Sequence, residues 1–467
     1  MTAIITDKIR KQLVQSIYDE LASVPGDSDN YYYVAVGHSQ QYDPAGNTDV
    51  APTPTNTDRE EKKFRYNMQS VKAVEAYSFV IPLYDWTANT IYSAYNDNVV
   101  SQPDVSYYVR TSTNNVYLCV RTGKNATGTI QVSTVQPTHT STALTPESDG
   151  YVWKYLYTIT TSASSQFLTT AWMPVKFVDS ASSTDPDYPQ YTIQNAAVDG
   201  ALVGVRVTTS GGPYTSAPSV SIVGNGTGAK ARAILNASGG VQAIEIGDSS
   251  GAPIIPNMGS GYTKANVVIS SGTLSAGGTA AAAVPIFGPK GGLGADAGND
   301  LRSTAIMFNI KPEGTVSDKW VVGNDYRQVG LLRNITQYDS AALFTGTQGL
   351  ALNRMRLTTL PGTGVISYEN DVTMTGNTSG GVAFLDYYDD SNTLWYHQDE
   401  YTGFTPFQDG EIITVSGYTA SVLTADSALV PGDIDIMSGD LLYIDNRATS
   451  VTRDVGQTED IKLVIEL

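Results

Sequence analysis

The chain has 467 residues, 41% hydrophobic and 16% charged, with a formal net charge of -18 and one cysteine. That length and composition describe a folded protein of two or three domains. The acidity, with no basic run anywhere, argues against a nucleic-acid partner, and a lone cysteine excludes an intrachain disulfide framework and implies folding in a reducing cytoplasm.

Tyr (29) far outnumbers Phe (10), and Gly, Ser and Thr are abundant, which reads as many short strands and turns and predicts a mainly β fold. The start, Met1 to Arg10, has no long apolar core and no small-residue cleavage site, and no apolar run reaches the roughly 20 residues of a membrane span. A soluble chain without a signal peptide or membrane insertion is expected. Asn-x-Ser/Thr matches at Asn125, Asn225, Asn236, Asn334 and Asn377 are therefore not read as glycosylation sites.

With Thr6 or Asp7 as N-cap, Ile9, Leu13, Ile17 and Leu21 recur every four residues, the stripe of a helix that Pro25-Gly26 stops and that should pack on a sheet. Tyr31 to Gly37 reads as a strand, and after a Pro- and Asn-rich loop Asp58-x-x-Glu61 opens a second helix. Ser70 to Trp86, Tyr107 to Arg110 and Asn115 to Arg121 are β-branched and aromatic; Cys119 lies within the last of these and is expected to be inert core. Thr122-Gly123 and Asn125-Ala-Thr follow as turn signals. Asp149-Gly150 is a turn that opens into a strand with Tyr151, Trp153, Tyr155 and Tyr157 on one face and Val152, Leu156 and the stem of Lys154 on the other. Both faces can bury carbon, so Trp153 is expected in a core.

From Gly200 to Pro289 aromatics almost vanish and a repeat appears: Tyr214-Thr-Ser-Ala-Pro-Ser-Val220 recurs as Tyr262-Thr-Lys-Ala-Asn-Val-Val268, an offset of 48. Val203 to Val207 and Val241 to Ile246 lie upstream of the two copies, and Gly226 to Ala231 pairs with Gly277 to Ala282 downstream. One repeat cannot bury its own face, so the two copies are expected to make one small β-domain, inserted over 198–287. Gly292-x-Gly294-x-x-Ala297 matches a relaxed dinucleotide fingerprint, but Gly298-Asn-Asp precedes a β-like run at Ala305 to Ile310 and no βαβ periodicity surrounds it. Gly224 to Lys230 lacks the spacing of a phosphate loop. Asn324 to Asn334 is a turn and strand; strands at Val382 to Tyr388, Leu394 to Tyr396 and Glu411 to Val415 predict a second small β region.

Several phrases in order carry a resemblance: "AIITDKIR", a strand ending in "VAVGHS", "VIPLYDW", "DGYVWKYLY" at Asp149 to Tyr157, the strand with Arg327 and Gln328, Ser438 to Arg447 with Tyr443, Asn446 and Arg447, and Gln457-Thr-Glu459-Asp-Ile461 before a final strand. The chain resembles the baseplate wedge subunit family of contractile-tailed phages, made by gene eight in the T-even phages. The resemblance runs over roughly 1–178 and resumes near 324. It implies a β-sandwich core with flanking helices and two β-rich insertions: core over 1–197, 288–340 and 437–467, insertions over 198–287 and 341–436. It further implies a virion protein made and assembled in the host cytoplasm, a homodimer, other wedge proteins as partners, and help in transmitting the rearrangement that triggers sheath contraction. Asp149, Gly150, Tyr151, Trp153, Arg327, Gln328, Tyr443, Asn446, Arg447, Gln457 and Glu459 are the family-motif positions, with structural roles.

Residues that could carry chemistry are sparse. His38, His139 and His397 are far apart and lack metal-ligand spacing. Asp386, Asp389, Asp390, Asp399 and Glu400 could supply the two carboxylates of a glycosidase, and Trp395 and Tyr396 could bind sugar, which keeps a glycan-binding or glycan-hydrolysing tail protein as the alternative. Asp433-x-Asp435-x-Met437 starts like a calcium loop but places Met437 where an oxygen ligand is required. No catalytic residue, metal or cofactor is expected.

Overall fold

The computed structural model describes residues 5–22, 30–42, 50–53, 57–98, 106–125, 129–247, 257–312, 319–320, 324–358, 372–388, 392–415, 418–421, 429–452, 457 and 459–467. Pro25-Gly26, Ala126-Thr127, Asp389, Asp390 and Thr458 lie outside them. The protein is mainly β, and its described residues divide into two compact units: residues 1–14, 78–307 and 465–467, and residues 15–77 and 308–464.

Helix α1 spans Asp7–Ala22, where the four-residue spacing places it, and of the expected stripe Ile17 and Leu21 are partly buried. Val14 is its buried residue, while Ile9 and Leu13 are each about half exposed. Strand β1 (Tyr32–Gly37) is buried throughout, and α2 (Asp58–Tyr66) is capped by Thr57, whose hydroxyl accepts from Glu60 N, one residue before the cap the sequence suggests. The β-prone run after it is two strands, β2 (Met68–Ala73) and β3 (Ala76–Pro82), separated by Val74-Glu75. The chain passes between the two units within β3.

The first unit then builds β4 (Tyr108–Arg110), β5 (Asn115–Arg121), β6 (Thr145–Pro146) and β7 (Val152–Thr158) into one antiparallel sheet in the order β4-β5-β7-β6. Cys119 faces Trp153 and Tyr117 faces Tyr155 across the β5–β7 ladder, a cross-strand stacking of large side chains that gives a sheet its stability. Two register shifts in that ladder supply the twist with which both faces of β7 are covered. Helix α3 (Thr161–Phe167), strand β8 (Trp172–Val175), which pairs with β3, and helix α4 (Tyr188–Asn195), which packs on β7, complete this part.

The described residues of the repeat region form ten strands. The first copy gives β9 (Leu202–Thr209), β10 (Gly212–Tyr214), β11 (Ser219–Gly224), β12 (Thr227–Ala229) and β13 (Ala231–Leu235). The second gives β14 (Val241–Ile246), β15 (Met258–Ser260), β16 (Ala265–Ile269), β17 (Leu274–Thr279) and β18 (Ala282–Phe287). Five ladders join the copies in reverse order, β9 with β18, β10 with β17, β11 with β16, β12 with β15 and β13 with β14, and a short ladder joins β11 to β13 within the first copy. Exchanging the two copies leaves the five joining ladders unchanged, so the copies interleave as one body with approximate two-fold topology. Two glycines at equivalent places make the interleaving possible. Gly211 and Gly259 have φ of 58° and 63°, and a Cβ on either would sit 2.4–2.6 Å from backbone atoms of the other copy's strand end.

After α5 (Ala297–Asp300), β19 (Ala305–Ile310) carries the chain back to the second unit. There β20 (Asp325–Arg333), β21 (Gln348–Leu350), β22 (Asn353–Arg356), β23 (Thr373–Gly376), β24 (Val382–Tyr388), β25 (Thr393–His397), β26 (Ile412–Val415), β27 (Tyr418–Ser421), β28 (Leu429–Val430), β29 (Asp440–Thr452) and β30 (Ile461–Glu466) follow. One sheet of this unit has the order β21-β2-β1-β20-β29, with the N-terminal strands β1 and β2 inside and β29 at an edge. The other, β27-β26-β23-β24-β25-β22-β28, is built wholly from residues 353–430 and encloses its own core around Met355, Leu385, Leu394 and Ile413.

Candidate functional site

The Asp149-Gly150 turn is held by the aspartate itself. Its Oδ2 accepts from Ser133 Oγ (3.1 Å), Thr134 N (2.8 Å) and Val135 N (3.0 Å), and its Oδ1 accepts from Tyr151 N, while Gly150 takes φ 85°. One carboxylate thus satisfies four donors and pins the neighbouring loop to the start of β7. Tyr151 and Trp153 are fully buried, stacked with ring centroids 5.8 Å apart, and Tyr92 meets Trp153 edge-on at 5.6 Å. The Tyr151 hydroxyl donates to Gln131 O at 2.7 Å, whereas Trp153 Nε1 has no hydrogen-bond partner among the described residues. Cys119 beneath them is wholly buried, which pushes its thiol far up and keeps it protonated.

Lys154, in the same strand, is buried with its Nζ donating to Thr142 O at 2.5 Å. The Gly292 to Ala297 run lies against it: a Cβ on Gly294 would touch Lys154 Cε at 3.1 Å, and Gly294 N donates to Asp300 Oδ2 at 2.9 Å. The sequence reading placed no helix after these glycines. The structure has the single turn α5 there, with Asp296 as N-cap, and four residues do not make the helix of a dinucleotide fold. Burial raises the Asp300 carboxyl and lowers the Lys154 ammonium, each only partly offset by the charge of the other.

A cleft of about 750 Å³ opens in this unit beside the Gly150 turn. Its one wall is Ala94 to Asn96 with Val120 to Asn125; its other is β9 with β14. Arg121 Nη1 crosses to Glu245 Oε1 at 2.8 Å, and Arg232 Nη2 holds Oε2 of the same carboxylate at 3.0 Å. Gln242 Nε2 donates to Asn125 O at 2.8 Å. These contacts fix the repeat region onto the aromatic sheet.

In the second unit Arg327 and Asn446 also hold backbone. Arg327 donates from Nη1 to Ser39 O and from its amide to His38 O, and its own carbonyl accepts from Tyr42 Oη at 3.0 Å. Gln328 and Asn446 face each other across the β20–β29 ladder; Gln328 Nε2 donates to Asn446 Oδ1 at 2.9 Å, and Asn446 Nδ2 to Pro52 O at 2.8 Å. Tyr443 is half-buried opposite Leu331, Arg447 and Gln457 are exposed, and buried Glu459 accepts from Trp320 Nε1 at 3.1 Å.

Of the candidate carboxylates of residues 386–400, the described ones, Asp386, Asp399 and Glu400, serve separate structural tasks. Asp386 is fully buried and its Oδ2 lies 2.6 Å from His397 Nδ1, with Asn324 Nδ2 at 3.3 Å and Gln69 Nε2 and Ser39 Oγ at 3.4 Å from Oδ1. Asp399 Oδ1 caps the amides of Tyr401 and Thr402, and Glu400 pairs with Arg59 on the surface at 3.0 Å. Trp395 and Tyr396 are buried. His397 Nε2 meets Gln40 Nε2 at 3.3 Å, and His38 lies within electrostatic reach of His397. No spacing of these residues signals the meeting, because spacing reveals only partners on one element. Both ring nitrogens of His38 are buried, and burial pushes its pKa down to about 4, with a hydrogen bond to the Asn67 side chain and the charge of Asp399 opposing the fall and His397 and Arg327 adding to it. His139 packs edge-on against Tyr117 at 5.3 Å. Asp433 and Asp435 accept from Leu350 N and Met437 N. Among the described residues no three His, Cys, Asp or Glu side chains gather as a metal site, and no helix is long and apolar enough to cross a membrane.

Taken together these features define a mainly β protein whose buried polar side chains tie its own segments together. No family model matches the sequence, and no curated protein matches it closely enough to assign a relative.

Proposed function

We propose that the chain is a structural subunit of a contractile phage tail baseplate, located in the wedge and acting through protein–protein contacts. The observation that carries this reading is the ordered set of wedge-family phrases. Most of their residues, from the Asp149 cap to the Gln328–Asn446 pair, hold segments distant in sequence in place. A part that transmits a rearrangement needs rigid units and extensive interfaces more than a reacting centre. In this reading the subunit is a homodimer, joins other wedge proteins, and is incorporated into the virion after assembly in the host cytoplasm.

Removing the coding sequence from the phage that carries it, and imaging the particles by negative-stain electron microscopy, tests the assignment. Tails without complete baseplates are expected, and intact baseplates would overturn it. Light scattering on the purified chain at micromolar concentration is expected to give twice the mass of one chain.

A further inference from the structure

The loop 398–411 between β25 and β26 carries a feature that the assembly role leaves unused. Tyr401 is 80% exposed and Phe404 51%, although each is seated against a second ring. Tyr401 stacks on buried Phe384 with centroids 6.1 Å apart and planes 21° from parallel, and Phe404 meets Tyr66 at 4.7 Å. One side of Tyr401 is thus backed by the core while the other faces solvent. Single exposed aromatics are ordinary on a protein surface, but burial does not account for two on one short turn, each backed by another ring.

The turn that holds them is stiff. Asp399 Oδ1 accepts from Tyr401 N at 2.8 Å and Thr402 N at 3.0 Å, and Gly403, with φ 74°, donates from N to Asp399 O at 2.9 Å. Gln398 Nε2 donates to both Val382 O and Thr405 O, which closes the loop onto β24. Helix α2 runs beside it: Arg59 near its start pairs with Glu400 at 3.0 Å, and Tyr66 at its end meets Phe404. Rings fixed in this way lose little freedom when something binds. Arg59 and Glu400 both stay exposed while paired, so N–H donors and carboxylate acceptors stand next to Tyr401 in the chain.

The surroundings select the occupant. A protein partner needs on the order of 800 Å² on each side with few charges at its centre, whereas these rings are bordered by Asp399, Glu400 and Arg59. An ion pair already balanced, in a chain of net charge -18, gives an anionic ligand no advantage. A pyranose ring matches both sides of the site: its C–H face is apolar and flat like the aromatic ring, and its hydroxyls both donate to a carboxylate and accept from a guanidinium.

We propose that the Tyr401–Phe404 shelf binds a neutral oligosaccharide, with one pyranose ring stacked on the open face of Tyr401 and its hydroxyls held by Arg59 and Glu400. The proposal does not depend on the baseplate assignment, and the binding test below can fail while the tail phenotype stands.

The test uses the full chain and saturation-transfer NMR titrations with maltohexaose, cellohexaose and chitohexaose. At least one is expected to bind, with a Kd of about 0.1–5 mM. Tyr401→Ala should weaken that binding by about tenfold or more, and Tyr401→Phe, which keeps the ring, should hold it within about twofold. Unchanged melting temperatures verify that both variants are folded. No binding of any of these sugars up to about 20 mM, or equal binding by Tyr401→Ala, would overturn the proposal. So would preferential binding of hexagalacturonate, which would make charge the determinant, or a halved mass for Tyr401→Ala in light scattering, which would make the shelf a contact between copies of the chain.

Discussion

The aromatic sheet around β7 and the repeat region belong to one compact unit, yet they reach a stable fold by different means. In the first, Val109, Tyr117, Cys119, Tyr151, Trp153, Tyr155 and Ile193 are all completely buried, and large side chains supply the area removed from water. In the second, the core is Tyr214, Ala233, Val241 and Ile244 with a shell of partly buried Val, Ile, Leu and Ala, so each residue removes less surface. Its specification comes instead from backbone geometry: ladders that interleave two copies, and glycines where strands cross closely. The lesson is that a region poor in large side chains can still be uniquely folded when its hydrogen bonds admit one arrangement.

The sharpest break in that comparison is expected from Trp153→Ala. Truncating a fully buried indole in a sealed aromatic cluster should cost about 3–5 kcal/mol, read as a large drop in melting temperature. An unchanged melting temperature would mean that the cluster does not hold the unit together. Gly211→Ala and Gly259→Ala should each cost about 1–3 kcal/mol, because both need positive φ and both leave no room for a Cβ. The two substitutions should have similar effects, since the positions are topological twins; a large effect at one and none at the other would contradict the two-fold scheme.

A smaller effect is expected from pH. His38 is neutral in the folded protein down to about 4 but takes up a proton near 6.5 when unfolded. The unfolded state therefore binds more protons in that window, and stability falls as pH drops from about 6.5 toward 4. Melting scans between those values should show a shallower slope for His38→Asn, which keeps a side chain tolerant of the φ of 63° at this position. An identical slope would place the acid sensitivity elsewhere. The smallest change is expected for Glu245→Gln. Its arginine partners are each about a third exposed, so screening limits the loss to about 1 kcal/mol or less in thermal stability, and a larger loss would show that the repeat region depends on this clamp.

Where the physics is local, the sequence was readable. The period-2 pattern of Tyr151 to Tyr157 correctly implied a strand buried on both faces, and the Asp58-x-x-Glu61 signal found α2 to within one residue of its cap. The offset of 48 revealed two copies but not their interleaving, because either copy could have paired within itself. The stripe of Ile9, Leu13, Ile17 and Leu21 identified a helix but only half of its buried side, since periodicity says nothing about which neighbour arrives; Val14 is the residue that is covered, with Ile17 and Leu21 partly so. The Asp386–His397 pair and its approach to His38 depend on sheet order, which no spacing encodes.

The reverse-order ladders of the repeat region also say how it can fold. The innermost pair, β13 with β14, is a hairpin closed by the Asn236 turn, where Asn236 N donates to Gly240 O at 2.9 Å and Asn236 Oδ1 accepts from Ser238 N and Gly240 N. Each later pair encloses the one before it. The strands between β9 and β18 can therefore pair before those outermost strands meet, so that the chain entropy of closing the loop is lost in short steps. A region whose first and last strands are neighbours can in this way assemble as a zipper from its middle, with a barrier set by one turn and not by its full length.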